Sequence, residues 1–195
     1  MMKEKARLLE ILKQRSFERR KVTLSAGGES DFYIDGKQTT LDAEGAHLVG
    51  RLFYQLIKKS STPIEAVGGL TLGADPIVTA VALISHLEGN PIPAFIVRKE
   101  PKKHGTSAWL EGIEGLRKGA SVAIVEDVVT TGASTLRAIA RAEEEGLRVI
   151  KVMALVDREE GGAENLKKSG YQLEAIFTRS DFLNNLHALS EHHEA

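Results

Sequence analysis

Ser121-Val-Ala-Ile-Val-Glu126-Asp127-Val-Val-Thr130-Thr131-Gly132-Ala133-Ser134-Thr135 decides how this 195-residue chain is read. Ser121 to Val125 is a continuous apolar run of strand length, the pattern of a strand buried on both faces of a parallel sheet. Two acids follow it. A loop of small hydroxylated residues around Gly132 then opens a helix predicted over Ala133–Glu145 and closed by Gly146. Ligands of open parallel sheets bind beyond the carboxyl ends of the strands, where this loop lies. A helix N-terminus offers unpaired N–H groups and partial positive charge, so Thr130, Thr131, Gly132, Ala133, Ser134 and Thr135 can wrap a phosphate.

The flanking sequence repeats the alternation. Strands are expected at Glu65–Val67, ending in Gly68-Gly69, and at Pro93–Val97, Val149–Val156 and Leu173–Phe177. Helices are expected at Ala74–Leu87, with Pro76 in its first turn, and at Ala163–Lys168 and Asp181–Leu189. The fold class is therefore α/β: a mainly parallel sheet core over 63–178, flanked by helices. Before it, residues 1–62 hold a helix (Lys3–Gln14), a strand–turn–strand (Val22–Leu24, Phe32–Ile34) and a helix (Ala43–Lys59) leading into the core. This is a small N-terminal hood, with the 179–195 helix expected to pack near it.

Composition narrows the function. With 26 basic and 27 acidic residues the net charge is −1, which argues against general nucleic-acid binding. The absence of cysteine excludes a disulfide framework, a thiolate zinc site and a cysteine nucleophile. No run approaches the roughly 20 apolar residues of a membrane span, and charges throughout Met1–Arg20 argue against a secretory signal. A cytoplasmic protein without membrane partners is expected.

Neither Gly-x-Gly-x-x-Gly nor Gly-x-x-x-x-Gly-Lys-Ser/Thr occurs. Two acids beside a phosphate loop would repel the ligand unless they bind sugar hydroxyls, with magnesium neutralising nearby phosphate. The ligand so indicated is a phosphorylated sugar. The plainer alternative is a capped helix after a buried strand, with Glu126 and Asp127 as ordinary strand-end acids.

Strand, Glu-Asp, two apolar residues and Thr-Thr-Gly-x-Ser-Thr together resemble the signature of type I phosphoribosyltransferases. These enzymes transfer phosphoribosyl from 5-phosphoribosyl-1-pyrophosphate (PRPP) to a nitrogenous base. Val97-Arg98-Lys99-Glu100-Pro101-Lys102-Lys103-His104-Gly105 is similar to the mobile catalytic loop of the orotate phosphoribosyltransferases. Ser30 to Asp35 with Lys37 to Leu41 resembles their orotate-binding segment, Gly69 to Ala74 their pyrophosphate loop, and Asp157-Arg158 the arginine that meets orotate. The matches run from Lys21 to Arg158.

The resemblance implies a type I phosphoribosyltransferase-like fold and the conversion of orotate and PRPP to orotidine 5′-monophosphate and pyrophosphate, in UMP biosynthesis. It implies Mg2+ held mainly through PRPP, no metal-ligating side chain, and a homodimer whose basic loop is shared across the interface. Thr130 to Thr135 would take the 5′-phosphate, and Glu126 and Asp127 the ribose hydroxyls. Thr71, Gly73, Arg98, Lys99, Lys102, Lys103 and His104 would take pyrophosphate. Lys99, Lys102, His104 and Asp127 would be catalytic, and Phe32, Tyr33, Thr131 and Arg158 would bind orotate.

Elementary chemistry supports several of these roles. Cations over a polyanionic leaving group stabilise charge that grows in the transition state, and a closing loop excludes water. A solvated basic loop is the plainer reading of the same residues. An arginine fork suits the carboxylate of orotate. Strand alternation lets only one of Phe32 and Tyr33 cover a flat base. Trp109 reads as a packing anchor, and His187, His192 and His193, near the terminus, are set aside as metal ligands.

The chain departs from the resemblance at Leu24 to Glu29, where many members carry a basic residue and this one has an acid; Lys21 or Lys37 are the candidate replacements. Base preference is thereby left open. A purine phosphoribosyltransferase and a PRPP-sensing, nucleic-acid-binding regulator remain as alternatives.

Overall fold

The computed structural model describes residues 2–23, 29–102 and 108–183, the side chains of 21–31 excepted. In chain order the elements are α1 (Met2–Arg15), β1 (Phe17–Thr23), β2 (Glu29–Ile34), α2 (Lys37–Thr40), α3 (Ala43–Lys58), β3 (Ala66–Leu70) and α4 (Asp75–Leu87). There follow β4 (Ala94–Val97), β5 (Leu110–Glu111), β6 (Ser121–Val129), α5 (Ala133–Glu144), β7 (Arg148–Asp157), α6 (Gly162–Lys168) and β8 (Leu173–Thr178). A last helix occupies 179–183 of the described chain; the remainder of the one expected at Asp181–Leu189 lies outside the described residues, as do His187, His192 and His193.

Strand β6 sits inside a six-stranded sheet of order β5-β4-β3-β6-β7-β8, parallel throughout except for β5. Its side chains alternate between two cores, as the two-residue period of a strand requires. Val122 and Ile124 pack with Ala138 and Ile139 of α5 and Leu166 of α6. Ala123 and Val125 face the other way, into a cluster with α3, α4 and α1. Both faces are covered, which is why the strand carries only apolar residues from Val122 to Val125.

The hood is a two-stranded antiparallel ribbon, β1 on β2. Its ring Phe32 is 1% exposed and packs against Phe17 and Phe182, with centroids 5.0 and 5.5 Å away. Phe182 belongs to the last helix, so that helix packs against the hood. The same apolar cluster continues through Leu8, Ile11 and Leu12 of α1 to the sheet.

The strands differ in extent from the sequence reading in the hood, where β1 begins at Phe17 and β2 at Glu29, and at two ends in the sheet that bear on the site. β3 continues through Gly68 and Gly69, since the Phe95 ring fills the space where a side chain on Gly68 would stand. β6 runs on to Val129, because β7 pairs with it as far as Val129↔Asp157; Glu126 and Asp127 therefore lie within a strand and not after it. Two short elements, α2 and β5, have too few residues to show a period and were not expected.

Candidate active site

Within β6 the alternation that sorts Val122 to Val125 also separates the two acids. Glu126 falls on the α5 side and is 5% exposed. It accepts a hydrogen bond from Thr135 Oγ1 at 3.4 Å. Burial, and then the charge of Asp127, push its carboxyl up to about 7. Asp127 falls on the α4 side, half-buried, with its Oδ1 accepting from the Val128 N–H at 2.9 Å.

Two glycines crowd Asp127. A Cβ on Gly73 would stand 2.4 Å from its Oδ1, and one on Gly36 would stand 3.0 Å from its Cβ. Only residues without side chains let the β3–α4 loop and the hood-to-α2 turn approach this carboxylate together. In the β3–α4 loop the Thr71–Leu72 peptide is cis. Thr71 donates its N–H to Val97 O at 2.9 Å and its hydroxyl to Asp75 Oδ2 at 2.7 Å. The loop is thus tied to the end of β4, where the basic segment begins.

At the start of α5, Gly132 has φ +78 and no side chain caps the helix. The left-handed conformation favours glycine, and a Cβ there would lie 3.2 Å from Gly162 O. Asn165 Nδ2 donates to Thr131 O at 3.0 Å and fixes the loop from α6. Thr130, Thr131 and Ser134 are half-buried and Ala133 is exposed. Thr135 differs from the expectation: it is fully buried and its hydroxyl is bonded to Glu126, so only its backbone can face an anion.

Arg98 and Lys99 lie beside Thr71, lining a cavity of about 450 Å³ together with Asp75, Ile96, Glu100 and Glu111. Arg98 Nη1 donates to Glu111 Oε1 at 2.9 Å, and Lys102 Nζ stands 3.9 Å from the same oxygen. Lys103 and His104 lie outside the described residues. Trp109 packs against the sheet core, with the Arg141 guanidinium 3.7 Å from its ring centroid, an anchor as expected.

The base end is built differently from the sequence reading. The Phe32 ring is core and cannot cover a ligand; its carbonyl instead accepts from Arg158 Nη2 at 2.8 Å. Tyr33, on the opposite face of β2, is half-buried under the Arg20 guanidinium, 3.9 Å from its centroid. Arg158 is 8% exposed, and the same Nη2 also donates to Glu160 Oε1 at 2.9 Å.

Lys37 pairs with Asp35 at 2.7 Å; that carboxylate, with a further pull from Asp127, holds its ammonium above the ordinary lysine range. Loop 24–28 and the side chains of Lys21 and Glu29 lie outside what the structure describes. Asp75, Glu111 and Gly36 were missed in the sequence; the only signal for Gly36 was its place between Asp35 and Lys37.

Residues 37–178 match the phosphoribosyl transferase domain family. The chain is 49% identical over 181 residues to the orotate phosphoribosyltransferase of Sorangium cellulosum, covering 92% of this chain and 93% of that protein. It is 47% identical over 186 residues to the orotate phosphoribosyltransferase of Aquifex aeolicus, covering 94% and 100%. The crystal structure of Mycobacterium tuberculosis orotate phosphoribosyltransferase in complex with PRPP aligns with a TM-score of 0.75 at 37% identity, over 92% of this chain and 98% of that one.

Proposed function

The chain belongs to the phosphoribosyl transferase family, and from that membership we infer how its site works as an orotate phosphoribosyltransferase. It transfers phosphoribosyl from PRPP to orotate, giving orotidine 5′-monophosphate and pyrophosphate in pyrimidine nucleotide synthesis. The observation that carries the residue roles is the convergence at Asp127: the hood turn at Gly36, the β3–α4 loop at Gly73 and the end of β6 meet at one carboxylate. A ligand lying over Asp127 touches all three segments at once.

In this reading Thr130, Thr131, Ser134 and the first backbone N–H groups of α5 hold the 5′-phosphate. Asp127, with Glu126 behind it, holds the ribose hydroxyls. Thr71, Gly73, Arg98, Lys99 and Lys102 surround the pyrophosphate, and Lys103 and His104 complete that set. The bond from the anomeric carbon to pyrophosphate breaks as the base nitrogen bonds to that carbon, through an oxocarbenium-like state, and the proton that nitrogen carried passes to the departing pyrophosphate or to solvent. Catalysis is then mainly positioning and stabilisation of charge on the leaving group. On the base side Tyr33 and Thr131 flank orotate, whose carboxylate would compete with Glu160 for the Arg158 guanidinium.

Magnesium would be held mainly through the phosphates of the substrate, since the ion keeps several waters and is commonly bound through substrate phosphates; among the described residues no group of three or more His, Asp or Glu side chains could hold it alone. When bound, the ion neutralises charge on the departing pyrophosphate. A homodimer is supported by a groove of about 690 Å³ beside the β3–α4 loop, where Leu41, Leu72, Leu83 and Leu87 are 58–72% exposed. A partner seated there would contact Leu72 and Lys37, and its basic loop would come close to the site. Among the described residues no helix is long and apolar enough to cross a membrane. The cytoplasm is the compartment we assign, in keeping with a cysteine-free chain.

The test is an absorbance assay with PRPP, magnesium and a panel of orotate, uracil, adenine, guanine and hypoxanthine. Consumption of orotate alone, abolished in Lys99→Ala protein, supports the reading. Turnover of a purine instead would keep the sugar site and overturn the base assignment.

A further inference from the structure

The β4–β5 stem carries a carboxylate that the reaction itself does not call for. β5 is only two residues long, yet it is fixed on both sides. Leu110 is buried in the sheet core, and the ladder Ile96↔Glu111 and Val97↔Leu110 is extended by Arg98 N–H to Trp109 O at 2.8 Å and Lys102 N–H to Ala108 O at 3.1 Å. Glu111 therefore has a set position opposite the start of the basic segment. Its Oε1 takes Arg98 Nη1 at 2.9 Å and faces Lys102 Nζ at 3.9 Å. Arg98 Nε donates to Glu100 O at 3.2 Å, so one guanidinium joins the returning strand to the outgoing one. Lys99, between these two anchors, lines the cavity with Thr71 and Asp75.

We propose that Glu111 is a positioning residue for pyrophosphate recognition, holding Arg98 and Lys102 so that the stem presents its cations to the cavity beside Thr71. The proposal rests on the reading of Arg98 and Lys102 as pyrophosphate-binding residues. Glu111 is not a competitor that masks those cations. The Arg98 and Glu111 side chains are 38% and 37% exposed, so water already screens the pair and freeing a cation gains little. What Glu111 supplies is direction: without it Arg98 loses its tie across the hairpin, and a long side chain regains its rotamers. Of the other acids lining the cavity, Asp75 accepts the Thr71 hydroxyl through Oδ2, and Glu100 meets Arg98 through its backbone carbonyl.

The experiment measures magnesium pyrophosphate binding by calorimetry and the KM values for PRPP and orotate, in wild-type, Glu111→Gln, Glu111→Asp, Arg98→Ala and the Arg98→Ala/Glu111→Gln double variant. Thermal melts establish that each is folded, and Glu65→Gln, which breaks a similar pair with Arg117, controls for the loss of any ion pair. The expected result is pyrophosphate binding about fivefold weaker in Glu111→Gln, an equal rise in PRPP KM and no change in orotate KM. Glu111→Asp should fall between, and the double variant should bind no more weakly than Arg98→Ala alone. Wild-type or tighter binding by Glu111→Gln, with Arg98→Ala weakened, overturns the proposal and leaves the pyrophosphate reading intact. Wild-type binding by Arg98→Ala overturns the proposal through its premise.

Discussion

The corner where β6 meets α5 and the stem where β4 meets β5 both fix charged groups at the candidate site, but they hold them by different means. At the corner, position is set by exclusion: Glu126 is walled in under α5, and Asp127 is framed by two glycines with no space for a side chain. At the stem, position is set by attraction between half-exposed ions, Arg98 and Lys102 on Glu111. Steric framing is insensitive to salt and fails abruptly when an atom is added. Ionic framing is screened by salt and weakens by degrees.

Gly73→Val is the strongest test of the contrast. Its Cβ would stand 2.4 Å from Asp127 Oδ1, so the loop or the acid must move. We expect kcat/KM to fall by more than about a hundredfold, as misplacement by an ångström does elsewhere, with the fold retained in far-ultraviolet circular dichroism. Activity within a few-fold of wild type would show that the corner is not sterically framed.

Glu126→Gln comes next and is read in stability, not rate. The folded carboxyl titrates at about 7, above its ordinary 4.5. A raised folded value means the neutral acid is favoured: wild-type stability is full below about pH 4.5 and is lost as pH rises through 7. Glutamine cannot ionise, so the variant should be more stable than wild type by about 3 kcal/mol at pH 8 and equal to it near pH 4 in urea unfolding. A gap that does not vary with pH would place the charge elsewhere.

At the stem the effects should be smaller. Arg98→Ala should raise PRPP KM about tenfold at low salt, and the difference from wild type should shrink in 0.5 M salt, on the order of a Debye length of a few ångströms. A salt-independent penalty would make the stem resemble the corner. Smallest of all, Arg141→Ala removes the guanidinium stacked on Trp109 and should cost about 0.5–1 kcal/mol in unfolding, visible in Trp109 fluorescence.

The same contrast explains what was legible in the sequence. The corner is local: an apolar run, two acids and a hydroxyl-rich turn lie within fifteen consecutive residues, and the strand, the helix after it and the turn between them could be read from them. What could not be read there was direction. The acids were expected after the strand, and only the pairing of β6 with β7 to Val129 shows that they diverge to opposite faces. Thr135 looked like a phosphate donor because the sequence does not reveal that its hydroxyl lies beneath Glu126. Phe32 and Tyr33 were known to face opposite ways, but which one was buried depended on Phe17 and Phe182, distant in the chain. Glu111 and Asp75 gave no signal, since their meaning comes from partners across a two-residue strand and a loop.

Arg158 donates to the carbonyl of Phe32, 126 positions earlier. On the ribosome, where chains lengthen by roughly 5–20 residues per second, the hood strand must wait on the order of ten seconds for that clasp to be synthesised. Until then the nascent chain has its β6–α5 turn but no clasp from the end of β7 onto the hood. The join between hood and sheet is therefore completed late in synthesis.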